Sequence, residues 1–226
     1  MTEMFFRTLR LSLLLLLTIS VAVPGNPRFS FLSGYEADSS AQSYGYAGLI
    51  TLWSSFLVRI WADEVRYSFR VNQERIRARG PGFSAGVGFR VLRSRFFLNL
   101  IGGLERRDVR ISPFREEVKI KGSLEGPFVS ADFGFTQGHN RIYLTASYSF
   151  PTTYLWSRVR FLRGIFRGLS LGGELVAHGN EDYRAVQTGA VGEVGVGPLW
   201  ITLKAGYKRD SVGDRAYGGI ETYLEF

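Results

Sequence analysis

The sequence contains no cysteine, and only two histidines and two methionines among 226 residues. Without cysteine there is no disulfide scaffold, no thiolate nucleophile and no thiolate metal ligand. The two histidines, His139 in Gly138-His139-Asn140 and His178 in His178-Gly179-Asn180, fall at opposite ends of the strand pattern described below. They therefore do not form a pair or share a metal, and neither a metal nor a cofactor is expected. Beyond residue 23 no stretch is apolar enough to cross a membrane as a helix, which takes about 20 such residues. Phosphate-cradling glycine loops and dinucleotide fingerprints are missing, because the glycine-rich stretches sit inside alternating segments and not between a strand and a helix. The Lys/Arg clusters come with no nucleic-acid recognition motif, so nucleic acid is not expected as a partner.

What is present begins with an export signal. Arg7 and Arg10 precede an apolar stretch, Leu11 to Val23, broken only by Ser12, Thr18 and Ser20. A basic start, an apolar centre and a small-residue exit (Ser20-Val21-Ala22) read as a secretory signal peptide over residues 1–22, cleaved after Ala22. The alternative is an uncleaved anchor, for which the run is short. Residues 23–226 then form one domain. It is rich in aromatics (15% of the sequence) and glycine (27 residues), has a mean hydropathy of zero, and belongs to a chain of formal net charge +8. That balance suits a membrane barrel, apolar toward lipid and polar toward its lumen. Composition alone also admits a soluble β-sandwich.

Periodicity separates the two. Ile142, Leu144, Ala146, Tyr148 and Phe150 alternate with Tyr143, Thr145, Ser147 and Ser149. Leu199, Ile201, Leu203, Ala205 and Tyr207 alternate with Trp200, Thr202, Lys204, Gly206 and Lys208. A period of two over about ten residues describes a strand long enough to cross a bilayer at the usual tilt. Twelve such segments are predicted: 28–37, 43–53, 56–71, 81–92, 95–107, 123–137, 140–150, 153–163, 168–178, 183–196, 199–208 and 214–226. In the third, the apolar parity switches near Ala62 and Asp63, which predicts a β-bulge or a displaced boundary. Connections after even-numbered segments are short, as periplasmic turns are. The two longest breaks, around 72–80 and 108–122, follow odd-numbered ones; the short Pro151-Thr152 is the exception. The last segment ends on Phe226 and resembles the assembly signal that outer-membrane barrels present to the barrel-assembly machinery. The predicted fold is thus an all-β, closed, antiparallel up-and-down transmembrane barrel of about twelve strands.

Parity also sorts the charges. Glu36, Arg90, Asp132, Arg158, Arg160, Glu174, Glu193, Lys204 and Glu221 fall on the lumen side. Such charges either line a selective pore or fill a narrow interior with ion pairs. Two external loops read as basic: 72–80, with Arg75, Arg77 and Arg79, at net +2, and 106–121, with Arg110, Arg115, Lys119 and Lys121, at net +3. Their field attracts anions, first the phosphorylated lipopolysaccharide of the surrounding membrane, or else an anionic exopolysaccharide. Trp53, Trp61, Tyr154, Trp156 and Trp200 read as interfacial girdle residues. His178, with Glu181 and Asp182 beside it, is the one candidate base for a surface enzyme, although no nucleophile is apparent and both histidines read first as turn residues.

Several short motifs occur in a recognisable order. Gly34-Tyr35-Glu36 and Tyr44-Gly45-Tyr46-Ala47-Gly48 lead; Ala146-Ser147-Tyr148-Ser149, Tyr154-Leu155-Trp156-Ser157-Arg158-Val159-Arg160 and Gly168-Leu169-Ser170-Leu171-Gly172-Gly173-Glu174 follow. His178-Gly179-Asn180-Glu181-Asp182-Tyr183-Arg184, Thr188-Gly189-Ala190 and Tyr217-Gly218 complete the series. With these motifs the chain resembles the BcsS family of cellulose-biosynthesis proteins, outer-membrane barrels associated with bacterial cellulose secretion. The 106–121 stretch departs from the family pattern in being shorter and more basic. The resemblance implies no catalytic residues. It implies a non-enzymatic barrel accessory to polysaccharide (cellulose) biosynthesis or secretion, in contact with membrane lipid and with an exopolysaccharide or its secretion complex. The alternatives are a small outer-membrane pore and a lipid- or glycan-modifying barrel enzyme.

Overall fold

The amphipathic segments form twelve strands: β1 (Arg28–Asp38), β2 (Ser43–Trp53), β3 (Phe56–Val71), β4 (Glu74–Leu92), β5 (Phe96–Ser112), β6 (Gly122–Gln137), β7 (Asn140–Ser149), β8 (Tyr154–Phe166), β9 (Leu169–Gly179), β10 (Arg184–Val196), β11 (Leu199–Asp210) and β12 (Gly213–Glu225). The structure, a computed structural model, describes residues 26–226; the expected signal peptide over 1–22 lies outside the described residues. Each strand pairs antiparallel with its neighbours in sequence, and β1 pairs with β12 to close the barrel. At the seam Phe29 and Phe226 exchange both backbone hydrogen bonds at 2.9 Å, and their rings stack with centroids 6.0 Å apart. Closure leaves no unpaired sheet edge, as a strand surrounded by lipid requires.

Alternation divides the side chains. Phe31, Phe89, Leu104, Val129, Leu155, Val159, Leu171, Leu175, Leu203 and Ile220 are exposed on the outside. These residues would be costly in water and suit the apolar belt that a membrane barrel presents to lipid. On the inner face Gly48 makes room for an aromatic ring. A Cβ there would collide with the Trp61 ring, which lies over it from the paired position on β3. Gly34 accommodates Tyr46 in the same way from β2.

The parity switch in β3 is not a bulge. Its register with β2 and β4 runs without a shift, and the irregularity found lies between β8 and β9 at Gly164/Phe166. The cause is a change of surroundings along one straight strand. In the lower part the outward residues are Val58 and Ile60. Higher up, the outward residues are Glu64, Arg66 and Arg70, while Tyr67 and Phe69 turn inward and are buried. β3 has left the apolar belt, so its outer face meets water and its inner face packs a core. Tyr67, Phe69, Ile76, Ala78, Val118, Tyr183 and Ala185 make that core.

The two long breaks are correspondingly shorter than predicted. Residues 74–80 continue β4, leaving a two-residue turn, Asn72-Gln73, with both φ angles positive (48° and 68°), the geometry that matches the strand twist of a tight hairpin. Arg75, Arg77 and Arg79 point outward from β4, alternating with buried Ile76 and Ala78. Likewise β5 runs to Ser112 and carries Arg110. Only Arg115, Lys119 and Lys121 of the predicted basic loop residues lie in a loop, residues 113–121.

Candidate functional site

Loop 113–121 folds over the mouth of the barrel instead of extending from it. Val118 is 1% exposed and Ile120 7% exposed, so its alternate apolar residues seat into the core beneath. The loop is fastened to the β9–β10 turn opposite: Lys119 Nζ meets Glu181 at 2.5 Å, and the Ile120 amide donates to Asp182 at 3.1 Å. The Glu181 contact raises the Lys119 pKa above the ordinary lysine value. Arg115 pairs with Glu74, and Lys121 donates to the carbonyls of Arg115 and Glu116 at 3.0 and 2.7 Å.

Beneath this roof is a chamber of about 280 Å³, with Tyr44, Trp61, Tyr154, Trp156, His178 and Tyr183 in its wall. Trp61, Tyr154 and Trp156 therefore line the interior and are not girdle residues. Trp200 also turns inward, against the Arg141 guanidinium, and Trp53 is buried. An inward parity could have been read from Trp61 and Trp156, which share their strand faces with Arg59 and Arg158. Tyr46 stacks on Trp61 at 4.8 Å and 12°. Arg59 lies 5.6 Å from the Trp61 ring centre and 4.8 Å from that of Phe128.

All nine predicted lumen charges occupy inward positions, and six of them form one network. Arg160 holds Glu174 at 2.7 Å and Glu221 at 3.0 Å; Arg158 also holds Glu221, at 2.9 Å. Lys204 reaches Glu36, Glu221 and Glu174 at 2.7, 3.0 and 3.7 Å. Gln187 donates to Glu36 at 2.7 Å and Tyr217 to Glu174 at 3.3 Å, so strands β8 to β12 and β1 are joined. The other three stand apart. Glu193 pairs with Arg141 at 2.5 Å, Arg90 donates to Asn99 at 2.8 Å, and Asp132 lines the chamber. On the remaining side of the barrel Leu57, Ile101 and Phe128 pack together with Ile50 and Leu52. At mid-height the lumen is thus packed by ion pairs from one half and apolar groups from the other.

Further inward charges were not predicted. Asp63 and Arg107 pair at 2.7 Å, with Arg107 assigned in sequence to the basic loop. Lys208 and Arg215 converge on Asp38 at 3.2 and 3.8 Å, and Arg215 on Asp210 at 2.5 Å. Glu105 accepts from Ser149. Of the basic external residues, Arg79 is bound to Glu64 and Arg110 to Asp108; exposed pairs of this kind contribute little, about 0–1 kcal/mol.

His178 is not in a turn. It is the penultimate residue of β9 and points into the chamber, where its Nδ1 lies 2.6 Å from the Tyr154 hydroxyl. Glu181 and Asp182 are engaged with the loop, so neither orients it. His139 sits in the β6–β7 turn at the other end. No cluster of three metal-ligating residues occurs among the described residues.

The sequence matches one family over residues 26–226, described as "Cellulose biosynthesis protein BcsS". No curated protein matches it. Among solved structures, a KdgM porin in complex with disordered oligogalacturonate is similar in fold. The TM-score is 0.52 at 9% identity, over 85% of this chain and 97% of that one. The translocator domain of the autotransporter NalP from Neisseria meningitidis gives a TM-score of 0.49 at 11% identity, over 98% and 97% of the two chains.

Proposed function

The chain belongs to the BcsS family of cellulose biosynthesis proteins, and on that premise we propose that it is a non-conducting, non-enzymatic outer-membrane barrel that supports cellulose production or export by binding. The observation that carries this reading is the ion-pair network of Arg158, Arg160, Glu174, Glu221, Lys204 and Glu36 at mid-barrel. Each of these charges is held by at least one opposite charge. Opening a water path would mean separating several buried pairs, and removing even one partner of such a pair costs about 3–5 kcal/mol. A role without catalysis is supported at His178, whose side-chain hydrogen-bond partner among the described residues is the Tyr154 hydroxyl; no serine, threonine or carboxylate bonds it there. Its partners in this role are membrane lipid and lipopolysaccharide around the belt, the barrel-assembly machinery during insertion, and an exopolysaccharide or its secretion complex at the mouth.

Two measurements test the proposal together. Purified, folded protein in planar bilayers is expected to give no unitary conductance. A strain lacking the gene is expected to release less cellulose, restored by the wild-type chain and by the His178→Ala variant. Steady single-channel currents would favour a pore instead, and failure of His178→Ala to restore output would favour chemistry at that residue.

A further inference from the structure

The upper chamber is built for a ligand. Arg59 on β3 lies against Trp61, and Arg158 on β8 lies 5.2 Å from the centre of the Trp156 ring. Strands β3 and β8 are five apart in a ring of twelve, so the two Trp–Arg pairs stand on nearly opposite walls of one cavity. The two pairs share a further feature: Arg59 Nε and Arg158 Nε are both buried, and among the described residues neither donates to any acceptor. Among the described residues Arg59 donates through Nη1, to Ser130 at 3.1 Å. Leaving a buried donor unpaired costs roughly 1–3 kcal/mol, and such groups persist where something else supplies the acceptor.

The charge around these donors limits what that acceptor belongs to. Asp63, Glu105 and Asp132 share the β3–β6 side of the cavity with Arg59 and Arg107, which leaves no excess of positive charge to draw in an anion. Flat aromatic walls with interspersed donors and acceptors fit a molecule that is apolar on its ring faces and hydroxylated at its edges. From these features we propose that the chamber beneath loop 113–121 is a binding site for a short, neutral saccharide. Its hydroxyl oxygens accept from Arg59 Nε and Arg158 Nε, and its ring faces pack on the Trp156 wall and on the Tyr46–Trp61 stack opposite. About 280 Å³ is near the lower bound for small-ligand pockets, roughly 300 Å³. The site holds a chain end or a short oligomer, and no polymer threads through it. This reading rests on the proposed binding role and specifies its ligand.

The test uses folded protein in detergent, titrated with cellobiose and cellotetraose and followed by tryptophan fluorescence, with oligogalacturonate as the anionic control. Saturable binding of the neutral sugars is expected. It should weaken about tenfold or more in Arg59→Gln, the loss anticipated for one hydrogen bond to a charged group, and also weaken in Trp156→Ala, which removes a ring face from the wall. A heat-modifiable gel shift identifies any variant that has not folded, and Arg59→Lys, which keeps the charge but lacks the Nε donor, serves where Arg59→Gln does not fold. Because loop 113–121 covers the mouth, the titration is repeated in Lys119→Ala, which removes one of its fastenings. Binding in either background supports the proposal. Absence of saturable binding in both, preference for the anion, or unchanged affinity in both wall variants overturns it. Cellulose output of the deletion strain is read separately: sugar binding by a protein whose loss leaves output unchanged sustains the chamber and rejects the cellular role.

Discussion

Lys204 Nζ lies 2.7 Å from the Glu36 carboxylate, linking β11 to β1 across the closing strand between them. Both side chains are nearly out of solvent, at 7% and 15% exposure. Breaking this pair on one side leaves an uncompensated buried charge. Lys204→Met is therefore expected to destabilise the folded barrel by about 3–5 kcal/mol. The double variant Lys204→Met/Glu36→Gln should recover part of that loss, since the orphaned charge is gone. Reversible denaturant unfolding in lipid vesicles measures all three proteins. A double variant as unstable as the sum of the two singles would mean that the residues are not coupled.

The seam also illustrates what the sequence reveals and what it conceals. Strict alternation made all twelve strands legible, because one face of each meets lipid and the other a polar lumen. The same rule misplaced residues 74–80 and 108–112. There the outer face carries Arg75, Arg77, Arg79 and Arg110, and charge density was read as loop although Ile76, Ala78 and Val109 kept the period of two. Above the membrane the apolar face turns inward, so polarity inverts without any change in the strand. The network at Glu221 was legible residue by residue, because inward parity identifies each charge. Its connectivity was not, since which carboxylate meets which guanidinium depends on barrel closure and stagger. The roof was hidden for a related reason: Val118 and Ile120 form too short an apolar pattern to announce burial.

The Gly48–Trp61 contact gives a second test. Any side chain at Gly48 enters the space of the Trp61 ring, which must leave the wall and shift into the chamber. Gly48→Ala is expected to cost about 1–3 kcal/mol, the usual penalty for overpacking, and to alter the tryptophan emission. Gly102 is the control. It lies in the barrel wall with open space where its Cβ would stand, apart from one ordinary contact to the Phe128 carbonyl oxygen at 3.9 Å. Gly102→Ala should leave emission unchanged and stability much less affected. Equal effects at the two positions would contradict the steric account.

Loop 113–121 should respond to pH on one side only. The bond to Glu181 raises the Lys119 pKa above 10.5. A lysine whose folded pKa is raised contributes its stabilisation fully below the ordinary lysine value and loses it as pH climbs through the folded one. The fastening is then constant from pH 7 to 9 and weakens above about 10.5. Limited proteolysis of the loop, measured with a protease active over that range, is expected to be flat up to pH 9 and faster beyond pH 11. Lys119→Ala should be cleaved faster than wild type from pH 7 to 9, and the difference should close beyond pH 11, where the wild-type lysine has lost its charge. Because the pair is exposed, added salt should narrow the difference between the two proteins. A wild-type loop that loosens between pH 7 and 9 would point to a different fastening.

The absence of cysteine makes the orientation of the barrel directly measurable. Arg77 lies on the outward face of the β3–β4 extension, and His139 lies in a turn at the opposite end. Single variants Arg77→Cys and His139→Cys each carry the only thiol in the chain. With termini and short turns on the periplasmic side, a membrane-impermeant maleimide added to intact cells should label Arg77→Cys and leave His139→Cys unlabelled until the cells are lysed. Both positions are solvent-exposed, so failure of access is not an explanation for a negative result after lysis. The reverse pattern would place the roofed chamber toward the periplasm. The saccharide would then be met before export instead of after it, with Arg59 and Arg158 facing a chain on its way out of the cell.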